Sequence, residues 1–424
     1  MRGIKRILKE YPRLVENFFS LSALNAISFL VPLITIPYLT RILGPEKFGL
    51  VSFGLVVMQY FIIFTSFGFA FSATQQISIH RDNKQKVTDI FSAVIAFKLI
   101  LTVVCALIML VLILTVDQFS KDYLVFVFSF GIVIGDALLP VWLFQGMEKM
   151  RFITLVNFVS KLLFTLLIFV FVRKESDYLI VPLFNTAGYL SAGLISFFIA
   201  YFVFDLKVRF PKVRVMMEQV KESWAIFVST LGINLYRSAN TLLLGLLTQN
   251  YTLVGYYSSA EKVIKGIQSL VSPVSDALFP HLSRRFENKA GKSGLQLMTR
   301  LGKYYFAGLF VMSLLLLIFA KPLILLVLGD KFAESIMDAR IMSFVVLFGG
   351  MNYFMGILGL VNMGHKRQFM IFVLITGVIS FASLFVFIPF FGDEGASAVM
   401  LLSEAFLFFM LLFFMMKLGR KANG

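Results

Sequence analysis

The chain reads as long apolar runs broken by short polar turns. Twelve runs lie near residues 17–42, 48–76, 89–116, 122–145, 152–172, 178–204, 219–247, 252–283, 300–328, 335–363, 367–391 and 394–416. Each has about the 20 residues of helix that a hydrocarbon core requires. The pattern predicts an all-α polytopic membrane protein with about twelve transmembrane helices. Pro32, Pro37, Pro140, Pro182, Pro273 and Pro280 fall inside runs, where they kink a helix and free backbone groups that neighbouring helices must satisfy.

Polar positions within the runs are not scattered. Thr230, Asn234, Arg237 and Thr241 follow one another at spacings of a helical turn, as do Glu261, Lys265, Gln268, Ser272 and Asp276. Each set shares one helix face. A charge at the centre of a span costs at least about 2.5–3.5 kcal/mol, so such faces look onto a protein interior or a water-filled path. Two polar-faced spans in succession, from Trp224 to Arg285, therefore read as the wall of a polar cavity within the bilayer.

Composition agrees with the membrane reading. Of 424 residues, 59% are hydrophobic and 15% charged, against about 45–50% and 25% in soluble domains. The net charge of +16 does not indicate nucleic acid. Lysines and arginines crowd into alternate loops: Arg2 to Arg13, Arg81 to Lys86, Lys149 and Arg151, Lys207 to Lys221, Arg284 to Lys303, Lys366 and Arg367, and Lys417 to Lys421. The intervening loops hold few. By the positive-inside rule both termini of this multi-pass protein are cytoplasmic. Residues 1–16 set Ile4, Ile7, Leu8 and Leu14 against basic residues, the pattern of a short interfacial helix.

The polar stretch 207–218 divides the chain into an N-lobe (17–206, spans 1–6) and a C-lobe (219–416, spans 7–12), followed by a basic tail (417–424). The halves repeat weakly. RILGPEKFGLVSFG at 41–54 sits at the same place as LLTQNYTLVGYYSS at 246–259, and GMEKMRFITLVNFVSKLLF at 146–164 resembles MGHKRQFMIFVLITGVISF at 363–381. Copies six spans apart have the same orientation. That predicts a parallel pseudo-twofold repeat, with a substrate cavity between the halves.

The basic residues left inside spans are Lys98, Lys161, Arg237, Lys262, Lys265 and Arg340; the acids well inside are Asp136, Glu261, Asp276, Asp338 and Glu404. Surplus cations suit an anion, and arginine suits phosphate through its paired donors. The candidate substrate-binding set is Arg237, Lys262, Lys265, Arg340 and Lys98, with Asn234 and Gln268 for hydroxyl-rich groups. Asp136, Glu261, Asp276 and Glu404 are the candidate sites of proton or sodium coupling. The structural alternative is internal pairing, most directly Glu261 with Lys265 one turn on. Lys98, Lys161 and Asp338 also have a snorkelling position near span ends open to them. His80, His281 and His365 pair with no nucleophile and form no metal cluster, the lone Cys105 allows no internal disulfide, and no GxxxxGK[ST] loop is present. No cofactor, metal or ATPase activity is expected, and no enzyme.

NFFSLSALNAISFLVPLITIPYLTRILGPEKFGLVSFG resembles the first two spans of Wzx-type O-antigen flippases, and PVWLFQGMEKMRFIT and NMGHKRQF resemble that family's loops after spans four and ten. This is the polysaccharide-transporter branch of the multidrug/oligosaccharidyl-lipid/polysaccharide exporter superfamily. The resemblance implies two six-helix lobes around a central cavity, working by alternating access. It implies an undecaprenyl-diphosphate-linked oligosaccharide as cargo, moved from the cytoplasmic to the periplasmic leaflet, with suspected ion coupling. Membrane lipid is then a partner, a polysaccharide polymerase and a chain-length regulator are candidate partners, and nucleic acid is not. A drug–cation antiporter of the same superfamily is the alternative, and a membrane-embedded polymerase or glycosyltransferase a more distant one, since such enzymes commonly carry a large outer loop that is missing here.

The topology has a direct check. In a Cys105→Ser background, a single cysteine in the 249–254 turn is expected to react with an impermeant thiol reagent from outside the cell. One in 207–212 should react only after lysis. Protection of the 249–254 turn in intact cells would overturn the orientation.

Overall fold

A computed structural model describes residues 12–271 and 292–423; within these, side chains are described except at 12–30, 235–237, 292–297 and 420–423. The described chain is helical throughout, with polar turns between the helices. In hydrocarbon a backbone without internal hydrogen bonds is costly, and an apolar sequence of this length satisfies them most simply as helix.

In chain order the helices are α1 (Pro12–Ser66), α2 (Phe69–His80), α3 (Lys84–Thr115), α4 (Asp117–Lys121), α5 (Tyr123–Leu138), α6 (Val141–Gly146), α7 (Arg151–Phe171), α8 (Ile180–Phe198), α9 (Val213–Thr248), α10 (Tyr251–Ser269), α11 (Lys292–Leu328), α12 (Ser335–Met342), α13 (Val345–Tyr353) and α14 (Lys366–Asn423). Wide π turns extend α8 over Ile199–Val203 and follow α13 over Phe354–Val361. Among the described residues, eight helical stretches are long and apolar enough to cross a membrane. Two of these, within α1 and α14, are interrupted by a left-handed glycine, Gly44 (φ 69°) and Gly392 (φ 56°). A side chain in that conformation is strained, so glycine marks where a run reverses. The basic 1–16 segment lies largely outside the described residues, as does the 272–291 stretch.

The ends of the helices are set locally. Asn83 caps α3 by accepting from the Lys86 amide at 3.1 Å, and Asn250 caps α10 by accepting from the Thr252 amide at 3.0 Å. The two copies of the first repeat break alike. Gly44 and Gln249, equivalent positions, both have positive φ (69° and 53°), and each is followed by a helix-starting residue, Pro45 or Asn250. Glu148 and Gly364 also have positive φ, one position out of register between the copies of the second repeat.

The chain forms two compact units, residues 1–43 with 54–231 and residues 44–53 with 232–424. Helix α1 therefore contributes to both, as does α9. In the first unit α5 and α8 approach closely because glycines line the contact. A Cβ on Gly135 would lie 2.4 Å from the Tyr189 carbonyl carbon, and one on Gly193 would lie 2.5 Å from the Gly135 carbonyl oxygen. Lipid supplies little hydrophobic drive between helices, so such backbone proximity, together with the Thr186 hydroxyl donating to the Phe128 carbonyl, holds the pair. An aromatic core surrounds Phe67, Phe69, Phe91, Trp142 and Phe227, with the Phe67 and Phe227 rings stacked at 4.6 Å.

In the second unit the short segment 44–53 packs on α10. A Cβ on Gly49 would fall 1.8 Å from the Tyr251 carbonyl oxygen, and one on Gly255 would fall 2.0 Å from that of Pro45. Helix α12 joins α10 through hydroxyls: Ser335 donates to the Tyr256 carbonyl at 3.1 Å and pairs with Ser259 at 3.3 Å. Gly49→Ala or Gly255→Ala must push two backbones apart. Each is expected to cost about 1–3 kcal/mol, the usual range for overpacking, and to lower the thermal midpoint of the purified protein. Gly266→Ala, where nothing lies within 4 Å, is the control and should leave it unchanged.

Candidate functional site

The intramembrane charges separate into two groups. In the first unit Lys98 on α3 is 3% exposed. Its ammonium donates to the Asp136 carbonyl at 2.8 Å and to the Asp136 carboxylate at 3.2 Å, and the same carboxylate accepts from Ser66 at 3.2 Å. Two residues assigned to different roles from sequence, substrate binding for Lys98 and ion coupling for Asp136, thus meet as one ion pair. The lysine is buried rather than drawn to a span end.

The second unit gathers the larger group along α10. Glu261 and Lys265 form an ion pair of 2.6 Å across one helical turn, and Thr241 on α9 donates to the other Glu261 oxygen at 3.5 Å. One turn further, the Gln268 amide nitrogen fills the space above Gly349, 2.3 Å from where a Cβ would stand. A Glu404 carboxylate oxygen lies 3.6 Å from that same point. Asn352 donates to Glu404 twice, to a carboxylate oxygen at 2.7 Å and to the carbonyl at 2.9 Å, and its own amide oxygen is buried without a partner. Thr241, Glu261, Lys265, Gln268, Glu404 and Asn352 form a polar strip through an otherwise apolar bundle.

Lys262 stands apart on the neighbouring face of α10. Its ammonium donates to the Ser52 hydroxyl at 2.8 Å and sits 4.4 Å from the centroid of the Phe48 ring. Among the described residues no carboxylate lies within ion-pair distance of it. A hydroxyl and an aromatic face stabilise an ammonium without cancelling its charge. Of three ammonium protons one is engaged by Ser52, which leaves donors for an incoming anion. Lys265, by contrast, is already matched by Glu261.

The other candidates are dispersed. Asn234 is half-buried and partnered on α9, and Arg340 is exposed near the end of α12. The Arg237 side chain and Asp276 lie outside the described residues. Sequence reading did not find Ser52 and Phe48, which reach Lys262 from a stretch more than two hundred residues away. Nor did it pair Asp338 with Ser397, whose hydroxyl donates to that carboxylate at 2.6 Å. Asp338 is fully buried rather than snorkelling, and the Asp393 carboxyl lies within hydrogen-bonding reach of it.

A family model described as "Polysaccharide biosynthesis protein" matches residues 14–286. The chain belongs to this family. Within it, a protein of Escherichia coli (strain K12) named "Putative O-antigen transporter" is 30% identical over 404 residues, 94% of this chain and 96% of that protein. One of the same name from Shigella dysenteriae is 27% identical over 269 residues, 63% of this chain and 67% of that one. Among solved structures, the lipid II flippase MurJ in an inward closed conformation has a TM-score of 0.65 at 14% identity, covering 94% of this chain and 87% of that one. An inward-facing multidrug resistance MATE family transporter of the MOP superfamily has a TM-score of 0.63 at 14% identity, covering 95% and 99%. The family match agrees with the resemblance of YLTRILGPEKFG and its surroundings to Wzx-type flippases, and the fold is the one these membrane transporters share.

The Lys98–Asp136 pair gives a test of structure against transport. Removing one partner of a buried pair typically costs about 3–5 kcal/mol, while replacing both with apolar groups of similar size is often neutral. Lys98→Met alone should sharply lower the thermal midpoint and the protein level. Lys98→Met with Asp136→Leu should recover most of both. Equal stability of the single variant and the wild type would show that the pair is not structural.

Proposed function

We propose that this chain is a flippase for a lipid-linked oligosaccharide, moving an undecaprenyl-diphosphate-linked repeat unit of O-antigen or a related surface polysaccharide across a bacterial inner membrane. The direction is from the cytoplasmic to the periplasmic leaflet, by alternating access. The observation that carries the proposal is Lys262, a cation inside an apolar bundle with no described carboxylate at ion-pair distance and Glu261 acting on it only from farther off. A diphosphate entering hydrocarbon needs fixed donors in place of lost water, since the ideal Born cost is of order 20 kcal/mol per charge. Lys262 supplies such donors, and the strip of Gln268, Asn352 and Thr241 beside it suits sugar hydroxyls. Family membership and the names of the curated relatives support the choice of cargo.

In this reading Lys265 has a secondary role, because Glu261 already holds its charge. Arg237, one helical turn before Thr241 in sequence, remains a candidate second phosphate donor. Glu261 and Glu404 on the strip, with Asp136 and Asp276, remain the candidates for coupling to a proton or sodium gradient. No ATP-binding loop is available to drive the step.

The test is transport in liposomes containing the purified protein and a polyprenyl-diphosphate oligosaccharide, read by an impermeant lectin. A charge-assisted hydrogen bond is worth about 1.5–3 kcal/mol, so Lys262→Ala should slow flipping by roughly 10- to 100-fold. Lys262→Arg should retain more activity than Lys262→Ala, and Lys265→Ala should lose less. If Lys262→Ala flips at the wild-type rate, the docking role is wrong. If the wild type flips no such lipid but takes up a cationic dye against a gradient, the antiporter reading replaces this one.

A further inference from the structure

The first unit carries a second polar cavity, remote in sequence from α10. Helix α2, the start of α3 and the first turns of α9 line a volume of about 760 Å³. That lies within the roughly 300–1,000 Å³ of ordinary small-molecule sites. Its floor is built from amides and hydroxyls. Gln219, 4% exposed, donates through Nε2 to the Gln76 Oε1 at 2.7 Å. Beside this pair the Ser72 and Ser223 hydroxyls meet at 2.5 Å. The remaining Gln219 oxygen, Oε1, is buried and has no hydrogen-bond partner. An acceptor left so costs about 1–3 kcal/mol, which a ligand donor recovers if a small shift of the lining side chains brings that oxygen to the cavity surface.

The rim determines which donor. Asp89, Glu218 and Glu222 line the cavity, against Lys86 and His80. Glu218 is held by Arg214 at 3.1 Å and Asp89 by Gln85 at 3.2 Å. Carboxylates accept hydrogen bonds and donate none, and with Glu218 paired to Arg214 the remaining Asp89 and Glu222 still outnumber Lys86 and disfavour phosphate. The occupant is therefore a multiple donor without strong negative charge. Ile79, Ile90, Val215 and Ile226 supply apolar wall between the polar groups. Alternating apolar and acceptor surface matches a pyranose ring, with its C–H face and its ring of hydroxyls. No Phe, Tyr or Trp is among the described lining residues, so discrimination falls to hydrogen bonds. A site built on those rejects an analogue that lacks one hydroxyl far better than an apolar pocket does.

We propose that this cavity is a sugar-recognition subsite, binding one or two neutral or amino-sugar residues of the repeat unit through Gln219, Gln76 and the Asp89, Glu218 and Glu222 carboxylates. The assignment rests on the flippase reading for the source of its ligand. It gives sugar specificity a location separate from the cationic site on α10, with uronic acids disfavoured by the acidic rim.

Calorimetry on the full-length purified protein tests it. The probes are the free repeat-unit oligosaccharide released from the producing strain's own polyprenyl-linked pool, and sugar-free polyprenyl diphosphate. Gln219→Met should weaken oligosaccharide binding at least tenfold and leave polyprenyl-diphosphate binding unchanged. Glu222→Gln, at an exposed position that does not endanger folding, should weaken it several-fold with the same selectivity. Lys262→Ala should show the reverse pattern. Wild-type affinity for the oligosaccharide in both cavity variants, or no oligosaccharide binding by the wild type, overturns the subsite. If the wild type still flips lipid-linked oligosaccharide in liposomes in that case, the flippase stands and only the subsite falls. Oligosaccharide binding that depends on Gln219, in a protein that flips nothing, would keep the subsite and remove the transport reading.

Discussion

Hydrocarbon tolerates charge only where something answers it, and the interior of this protein is arranged around that constraint. Lys98 is answered by Asp136, Lys265 by Glu261, and Asp338 by the Ser397 hydroxyl. Among the described residues Lys262 has a hydroxyl and an aromatic face as its close partners, with Glu261 acting on it from beyond ion-pair distance. The two ion pairs hold charge as part of packing, whereas Lys262 holds it as a standing attraction for an anion. A span bearing one unmatched cation among matched ones is thus more informative than a count of basic residues, because matched charges add little net field.

Much of the fold was legible because lipid imposes so few solutions. Apolar length gave the helices, and positions that force a left-handed backbone gave the breaks, at Gly44 and at Gly392. The turn at Gln249 was legible from the polar gap between the runs 219–247 and 252–283, although glutamine itself gives no sign of a left-handed backbone. Interruptions inside runs were less visible. The break at Phe67 and Gly68 falls in what sequence reads as one continuous span, because the contact that stabilises it is with the backbone of Ser223 and Phe227, far along the chain.

The candidate site was legible in part for the same reason. Helical spacing put Glu261, Lys265 and Gln268 on one face, and α10 bears that out locally. Spacing along one helix carries no information about what another helix brings. Lys98 and Asp136 lie on separate helices and meet only through folding, and Ser52 and Phe48 reach Lys262 from a ten-residue insert of α1. Gln219 drew no notice, because a single glutamine near the basic end of a span reads as ordinary. Its significance lies in the buried, unpartnered oxygen, which is a property of its surroundings.

The two compact units do not follow the polar stretch that divides the sequence. Residues 219–231 belong with the first unit, although they follow that stretch, and residues 44–53 belong with the second, although they precede it by well over a hundred residues. A gene cut in the obvious loop would therefore leave both products incomplete. The front fragment would lack Phe227, which stacks on Phe67. The rear fragment would lack the Gly49 and Pro45 backbone on which Tyr251 and Gly255 close. Neither half is complete by itself, and during synthesis the first unit remains unfinished until the chain has grown past residue 231.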